Sequence, residues 1–297
     1  MDTTTVRLIM ATVEEGSISR AANRLDLAIA AASRRISDLE DQLGIKLFRR
    51  LPHGVEVTES GGKLIDHIQQ IDNLVDRLTG DAQVLVGGLD GRIIIGAPKA
   101  VIIEFLCADI ARIQQLYPRI TLKIVEENSR NIQQSLRDRL IDIGIYESRS
   151  GFLDMTPYPY RSDRLVLVYN AAHFSFDTMP VPLDALFDKP LISLGKGSAT
   201  LAAVERAFRN QGRAFTNNFL VSGFDTMLTM VRNGLGVGLM PPAVLRLLGG
   251  ETSVSAAELE GSWQQRNYVL SFVEGHVQAQ TLANIVAELK QNANARS

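Results

Sequence analysis

Cysteine, histidine and early proline are the scarce residues of this 297-residue chain, and each scarcity removes a class of function. The single cysteine, Cys107, excludes an intrachain disulfide and a four-cysteine metal site, and points to a reducing compartment. Four histidines (His53, His67, His173, His276) stand far apart, without the HxxxH or HxH spacing of a zinc enzyme. No apolar run nears the ~20 residues of a membrane span. The opening stretch, MDTTTVRLIMATVEEGS, carries acids where an export signal would be basic and apolar, so a cytoplasmic protein away from membranes is expected. Neither charge sign dominates. Lys plus Arg is 31 and Asp plus Glu is 33, a net charge of −2, and no basic body advertises nucleic acid. GxSxG and GxxxxGKS/T are missing, and the glycines of GLGVG (234–238) precede or form a strand instead of following one. The chain is therefore read as no enzyme, with no catalytic residue, no metal and no cofactor.

What is present is an ordinary globular mixture, 45% hydrophobic and 22% charged, long enough for two domains. Proline divides it. None occurs before Pro52 or between Pro52 and Pro98, so the first 97 residues are almost free of helix breakers. Val6, Ile9, Met10 and Val13 predict an amphipathic helix closed by Gly16. Ser17 caps a second, Ile18 to Arg24, whose Ala21 and Ala22 permit close approach. A third runs from about Ala30 to Leu43, with Ala32, Ile36, Leu39 and Leu43 inward and Gly44 at its end. LFRRLPHGVEVTESG then reads as a small hairpin around Pro52, His53 and Gly54. Three helices and a hairpin are the layout of a winged helix-turn-helix.

Leu64, Ile68, Ile71, Val75, Leu78, Ala82 and Leu85 follow at steps alternating 4 and 3, a heptad seam. Its economical partner is a second copy of the chain, the alternative being the chain's own C-terminal region. Gly87, Gly88 and Gly91 form a linker. Beyond it, short apolar strands alternate with helices in two βαβαβ series, Arg92–Ile145 and Leu191–Met240, with a strand at Leu165–Tyr169, a late strand at Tyr268–Val273 and a closing helix at Val277–Gln291. This predicts parallel sheets covered on both faces, in two subdomains with a cleft between them.

A recognition helix lies in the major groove. With Ile36 and Leu39 inward, Ala30, Arg34 and, nearer the edge, Ser33 point outward. Arg34 is the candidate for guanine, and Ile29 and Ala30 suit thymine methyl groups. Arg49, Arg50 and His53 on the hairpin can reach phosphate or the minor groove, and Arg35 adds charge beside Arg34. For each arginine the plainer reading is a solvated surface charge. Residues 1–60 hold eight Lys/Arg and nine Asp/Glu, so DNA contact would depend on local segregation and show only a modest salt slope.

ATVEEGSISRAANRLDLAIAAASRRISDLEDQLGIKLFRRLPHGVEVTESG resembles the DNA-binding domain of the LysR-type transcriptional regulators: AAxRL, SRRIxxLExxLGxxLFxR and VxxTExG all match. YPRITLKIVEENSRNIQQSLRDRLIDIGI and VRNGLGVGLMP are similar to that family's effector domain, so the resemblance covers the whole chain. It implies a bacterial homodimer or homotetramer on promoter DNA that engages RNA polymerase. Linker helices would pair through Leu64, Ile68, Ile71, Val75 and Leu78. It also implies an α/β architecture: a winged helix-turn-helix over 1–59, a linker helix over 60–88 and an effector domain over 89–297. The effector domain would resemble type 2 periplasmic binding proteins, with subdomain I at 89–163 and 269–297 and subdomain II at 164–268. One departure stands out. Where most members begin the recognition helix with Ser-Gln-Pro, this chain has Ala28, Ile29 and Ala30, losing a cap worth ~1 kcal/mol.

Ligands of open α/β sheets sit beyond strand carboxyl ends, where helices begin. Here those places are Ala97–Ala100 (with Pro98 and Lys99), Asn128–Ser129, Gly197–Ser198 and Gly223–Asp225 (with Phe224), and they match the family's inducer loops. Helix N-termini and Lys99 suit a small carboxylate or other anion, although Ala100 replaces the serine or threonine of many carboxylate binders. Tyr146 and Phe224 would supply an aromatic wall, while Ser129 and Ser198 serve equally well as plain helix caps. Cys107, in IIEFLCADI, is read as a buried packing residue and not a redox sensor. The expected function is a regulator switched by a small inducer. The alternative is a cytoplasmic ligand-binding or DNA-architectural protein without inducer control.

Overall fold

In the computed structural model Asp2 caps the first helix, α1 (Thr3–Glu15), accepting from the Thr5 backbone N–H at 2.7 Å and the Thr5 hydroxyl at 2.8 Å. That N–H and the guanidinium of Arg35 hold the Asp2 carboxyl well below the usual carboxylate range. The structure describes residues 2–85, 92–150, 155–195, 197–216, 218–249, 254–274 and 279–291, in two units, 1–88 and 89–297. The linker glycines Gly87, Gly88 and Gly91 lie outside the described residues.

In the first unit, α2 (Ile18–Arg24) is capped by Ser17. The third helix, α3 (Ile29–Leu43), follows Ala28, which makes no side-chain cap bond, as the departure at 28–30 implies. Val6, Ile9, Ala21, Ala22, Ala32, Ile36 and Leu39 form one core with Leu47 and Phe48, while Leu43, expected inward, is exposed. Strands β1 (Phe48–Leu51) and β2 (Gly54–Val57) pair antiparallel as the wing. The wing docks on the α1–α2 turn, where Val55 donates its N–H to the Gly16 carbonyl at 2.9 Å. A Cβ on Gly54 would stand 2.3 Å from that oxygen, and its φ of +147° favours glycine as well.

The long helix α4 (Glu59–Leu85) splits the heptad seam in two. Ile68 is buried and Leu64 partly buried in the helix-turn-helix core, so these two positions are spent within the chain and are not free to pair. An Arg7–Asp76 ion pair at 3.5 Å ties α1 to the same helix. Further along, Ile71, Leu74 and Leu78 are 40, 65 and 70% exposed, an apolar stripe without cover in this unit.

The second unit contains two five-stranded sheets. Sheet I, ordered β4-β3-β5-β12-β6, comprises β3 (Arg92–Ala97), β4 (Thr121–Glu126), β5 (Ile143–Glu147), β6 (Tyr158–Arg164) and β12 (Gln265–Phe272). Its helices are a run made of α5 (Lys99–Val101), a π-helical turn (Ile102–Leu106) and α6 (Cys107–Leu116), then α7 (Ser129–Arg137) and the C-terminal α11 (Ala279–Gln291). Sheet II, ordered β11-β7-β10-β8-β9, comprises β7 (Val166–Tyr169), β8 (Leu191–Leu194), β9 (Phe219–Val221), β10 (Val237–Met240) and β11 (Ser255–Ala257). It is accompanied by α8 (Ala199–Asn210), α9 (Phe224–Arg232) and α10 (Pro242–Leu247).

The sheets are mixed instead of all-parallel. Strands β3, β4 and β5 run parallel, but β12 runs against β5 and β6; likewise β8, β9 and β10 are parallel and β7 opposes β10. The opposed strands flank the two crossings between subdomains, so each arrives from the other half. Because β12 already pairs with β6 from Gln265, the return crossing precedes Gln265 and does not follow Tyr268.

Candidate functional site

In the first unit α3 and the wing carry the residues that the sequence predicted. Ile29 is 48% exposed, Ala30 is exposed, and the Arg34 side chain is 83% exposed, 3.9 Å from Asp38. Arg50 donates to the Ser33 hydroxyl at 2.7 Å, lashing the wing to α3, and His53 stands exposed at the wing tip. Arg49 pairs with Glu56 across the hairpin. Arg35 departs from expectation: it donates to Asp2 at 2.7 Å and to Thr5 at 3.3 Å, fastening α3 to the start of α1. Sequence reasoning missed Glu40. Its buried carboxylate accepts from the N–H groups of Leu47 and Phe48 at 2.9 and 3.1 Å and meets Lys46 at 3.1 Å.

In the second unit a cavity of about 290 Å³ lies between the subdomains. Pro98, Lys99, Ala100, Ser129, Ser198 and Phe224 line it, as expected from sequence. Four helical starts converge there, at Lys99, Ser129, Ala199 and Phe224. Each presents backbone N–H groups and the positive end of a helix dipole. Ser198 caps α8, accepting from the Leu201 N–H at 3.0 Å. Asn128, not Ser129, caps α7; the Ser129 hydroxyl accepts from the Glu147 N–H at 3.1 Å. Lys99 lies 4.0 Å from Glu126, which with Glu127 puts acid on one wall.

Three expected residues fall elsewhere. Tyr146 is buried on the α7 side of sheet I among Ile132, Leu136 and Val273, with its hydroxyl 2.7 Å from Ser271. Both faces of β5 are buried, so side-chain alternation gave no sign of which one meets the cleft. Gly197 packs against Asn128 and joins the subdomains, and Asp225 is exposed off the lining. Cys107 is exposed as well, because the π-helical turn before it rotates the following residues away from the face the apolar run suggested.

The cavity floor holds what the sequence concealed. Arg266, 2% exposed, donates from Nε to Asp163 at 2.8 Å, from a second nitrogen to the same carboxylate, and from the third to Thr200 at 2.9 Å. Strands β6 and β12 supply the ion pair and α8 supplies Thr200, so the cluster joins the subdomains at their crossing. Arg206 and buried Glu147 join them again at 3.9 Å. Behind Arg266, Glu104 has its carboxyl pushed up to about 7, first by burial and then by the charge of Asp163. A raised carboxyl favours the folded state below its ordinary 4.5 and loses that advantage as pH climbs through about 7. Thermal unfolding of Glu104→Gln should therefore match the native chain near pH 4.5 and exceed it above about 7; equal melting temperatures at both ends would refute this.

Among the described residues no group of three or more His, Cys, Asp or Glu could hold a metal, and no helix is long and apolar enough to cross a membrane. Residues 3–62 match the model of bacterial regulatory helix-turn-helix proteins of the lysR family, and residues 87–294 match the LysR substrate binding domain. A probable HTH-type transcriptional regulator, LrrA of Synechococcus elongatus, is 27% identical over 81% of both chains. Among solved structures, full-length CbnR in complex with its target DNA covers 99% of this chain and 100% of its own at a TM-score of 0.74 and 17% identity. A hydrogen-peroxide-bound Corynebacterium glutamicum OxyR variant covers 99% of this chain and 94% of its own at 0.60 and 21%. With a matching reader at one end and a matching effector domain filling most of the rest, the chain belongs to the LysR family of DNA-binding transcriptional regulators.

Proposed function

We propose that the chain acts in the cytoplasm as a homodimer or homotetramer on promoter DNA, with its engagement of RNA polymerase set by a small anion in the cleft. The observation that carries the ligand class is the convergence of four helical starts on one cavity. Glu126 and Glu127, beside Lys99 and the start of α7, favour an anion that also bears hydroxyl or ammonium donors. Ser198, Ser129 and Lys99 are the polar contacts and Phe224 the apolar one. Since Cys107 is the only cysteine, an intrachain disulfide cannot be the switch. Pairing would use the uncovered stripe Ile71, Leu74 and Leu78 of α4, with Val75 beside it. A panel of hydroxy- and amino-carboxylates in a thermal-shift assay, followed by mobility shift with promoter DNA, tests the reading. One or more members should stabilise the protein and alter the DNA complex, and a panel without effect defeats it.

On DNA, Arg34 is the base reader, Ile29 and Ala30 offer apolar contact, and Arg50 and His53 serve the backbone. Arg34→Ala should cost about 1–3 kcal/mol of binding and relax base preference, while Arg49→Ala, already paired with Glu56, should change little. Titration of both variants against specific and scrambled duplexes decides it; Arg34→Ala binding with native affinity and selectivity refutes the assignment.

A further inference from the structure

We propose that Glu104 makes the cleft a proton-linked anion site, which binds more tightly when the Glu104 carboxyl carries a proton than when it is ionised. This rests on the anion reading above and adds what regulates that site.

Two carboxylates meet one guanidinium at the junction of the subdomains. Arg266 lines the cleft and gives two of its nitrogens to Asp163. Asp163 and Glu104 line a second cavity, of about 540 Å³, which shares no lining residue with the cleft. One Glu104 oxygen, Oε2, is buried without a hydrogen-bond partner. Such an oxygen is costly while the carboxylate is charged, whereas a protonated carboxyl can donate to the neighbouring Asp163 carboxylate.

The charges around Glu104 set that choice. It sits in the π-helical turn Ile102–Leu106, against which α10 packs. Burial, and then the charge of Asp163 on β6, outweigh the attraction of Arg266 on β12 and Arg246 on α10, so the carboxyl is pushed up to about 7. Tyr268 on β12 has its hydroxyl held well above its ordinary range by burial and stays neutral. Along the same helical run, Lys99 turns to Glu126, and Asp109 to Tyr160 and Arg161. No described histidine lines either cavity.

With a proton on Glu104, Arg266 and Asp163 cancel at the cleft floor; without it, the floor gains one negative charge. At an effective dielectric of about 20, a unit charge on the order of 10 Å away changes affinity roughly tenfold. An anion is therefore held less tightly as pH climbs through about 7, and by linkage its binding draws a proton onto Glu104.

Sulfate, glycolate and lactate, whose charges stay constant between pH about 6 and about 8.5, are titrated by calorimetry into the full-length protein at both ends of that range. At least one should bind about fivefold or more tightly at the lower pH. Near pH 7 its binding should take up protons, read as a heat that changes with the ionisation enthalpy of the buffer, a test that needs no variant. Glu104→Gln, neutral throughout, should bind at the higher pH as tightly as the native chain does at the lower, without proton uptake. Lys99→Ala, in the cleft itself, should weaken binding at both pH values alike. Equal native affinity at both pH values, no proton uptake, or a pH dependence that survives Glu104→Gln overturns the coupling and leaves the anion site standing. No binding by any probe, or native binding by Lys99→Ala, overturns both.

Discussion

Asp163→Ala should cost the effector domain about 3–5 kcal/mol, because it leaves a buried guanidinium without its ionised partner. Arg266 is 2% exposed, and two of its three nitrogens donate to that one carboxylate. Thr200 supplies only a neutral acceptor, and Glu104 makes no hydrogen bond to the guanidinium, so neither replaces the two charge-assisted bonds that Asp163 makes. The pair itself need not add much net stability, since burying two ions costs nearly what their attraction returns. Removing both partners is therefore expected to behave differently from removing one. Asp163→Leu combined with Arg266→Met should recover most of the single-variant loss in a urea titration of the full chain. It should still blunt the cleft's response to ligand, because the bond from Arg266 to Thr200 across the subdomains is gone. A single variant costing under about 1 kcal/mol would show that solvent already reaches the pair.

That cluster lay out of sight in the sequence for a physical reason. Asp163, Thr200 and Arg266 come from three segments and meet only because β6 and β12 cross between subdomains side by side. The strand carrying Asp163 reads YPYRSDR, with a proline and three charges, and resembles a loop. It is the edge strand of sheet I, and the pairing shifts register around Tyr160, so Pro159 is accommodated. Helix α10 is hidden in the same way: Pro241 and Pro242 look like breakers, yet Pro242 is a first-turn residue, where its missing N–H costs nothing. The helix-turn-helix was legible because its periodicity is local and its caps are adjacent. The cleft was legible as four helix starts, since strand-to-helix junctions announce themselves. Which side chains turn into it was not, because β5 is buried on both faces and a π-helical turn reorients the helix that carries Cys107. Ile68 illustrates the same limit from the other side, because a heptad spacing does not say which partner fills it.

Glu40→Ala should cost the DNA-reading unit about 2–4 kcal/mol, through a residue that touches no DNA in the proposed reading. The stretch LExxLGxxLF (39–48) was recognisable as a pattern, but the pattern alone does not explain its glutamate. Leu39, Leu47 and Phe48 are core residues, and Gly44 ends α3 in the left-handed conformation with φ of 66°. The chain then reverses so sharply that the first N–H groups of the wing point back at the helix. Glu40 Oε1 accepts both, from Leu47 at 2.9 Å and Phe48 at 3.1 Å, while Oε2 meets Lys46 at 3.1 Å. Alanine would leave two buried N–H groups without a partner and release the strand that carries Arg50 and His53. Affinity for promoter DNA should fall by about tenfold or more, since the wing would no longer be held beside α3. Glu40→Gln separates the possible causes. Its amide oxygen can still accept from both N–H groups, so most of the stability and DNA affinity should return even though the charge opposite Lys46 is lost. Denaturant unfolding and DNA titration of the two variants give the answer. If Glu40→Gln behaves like Glu40→Ala, the ion pair with Lys46 holds the wing and the two backbone bonds do not.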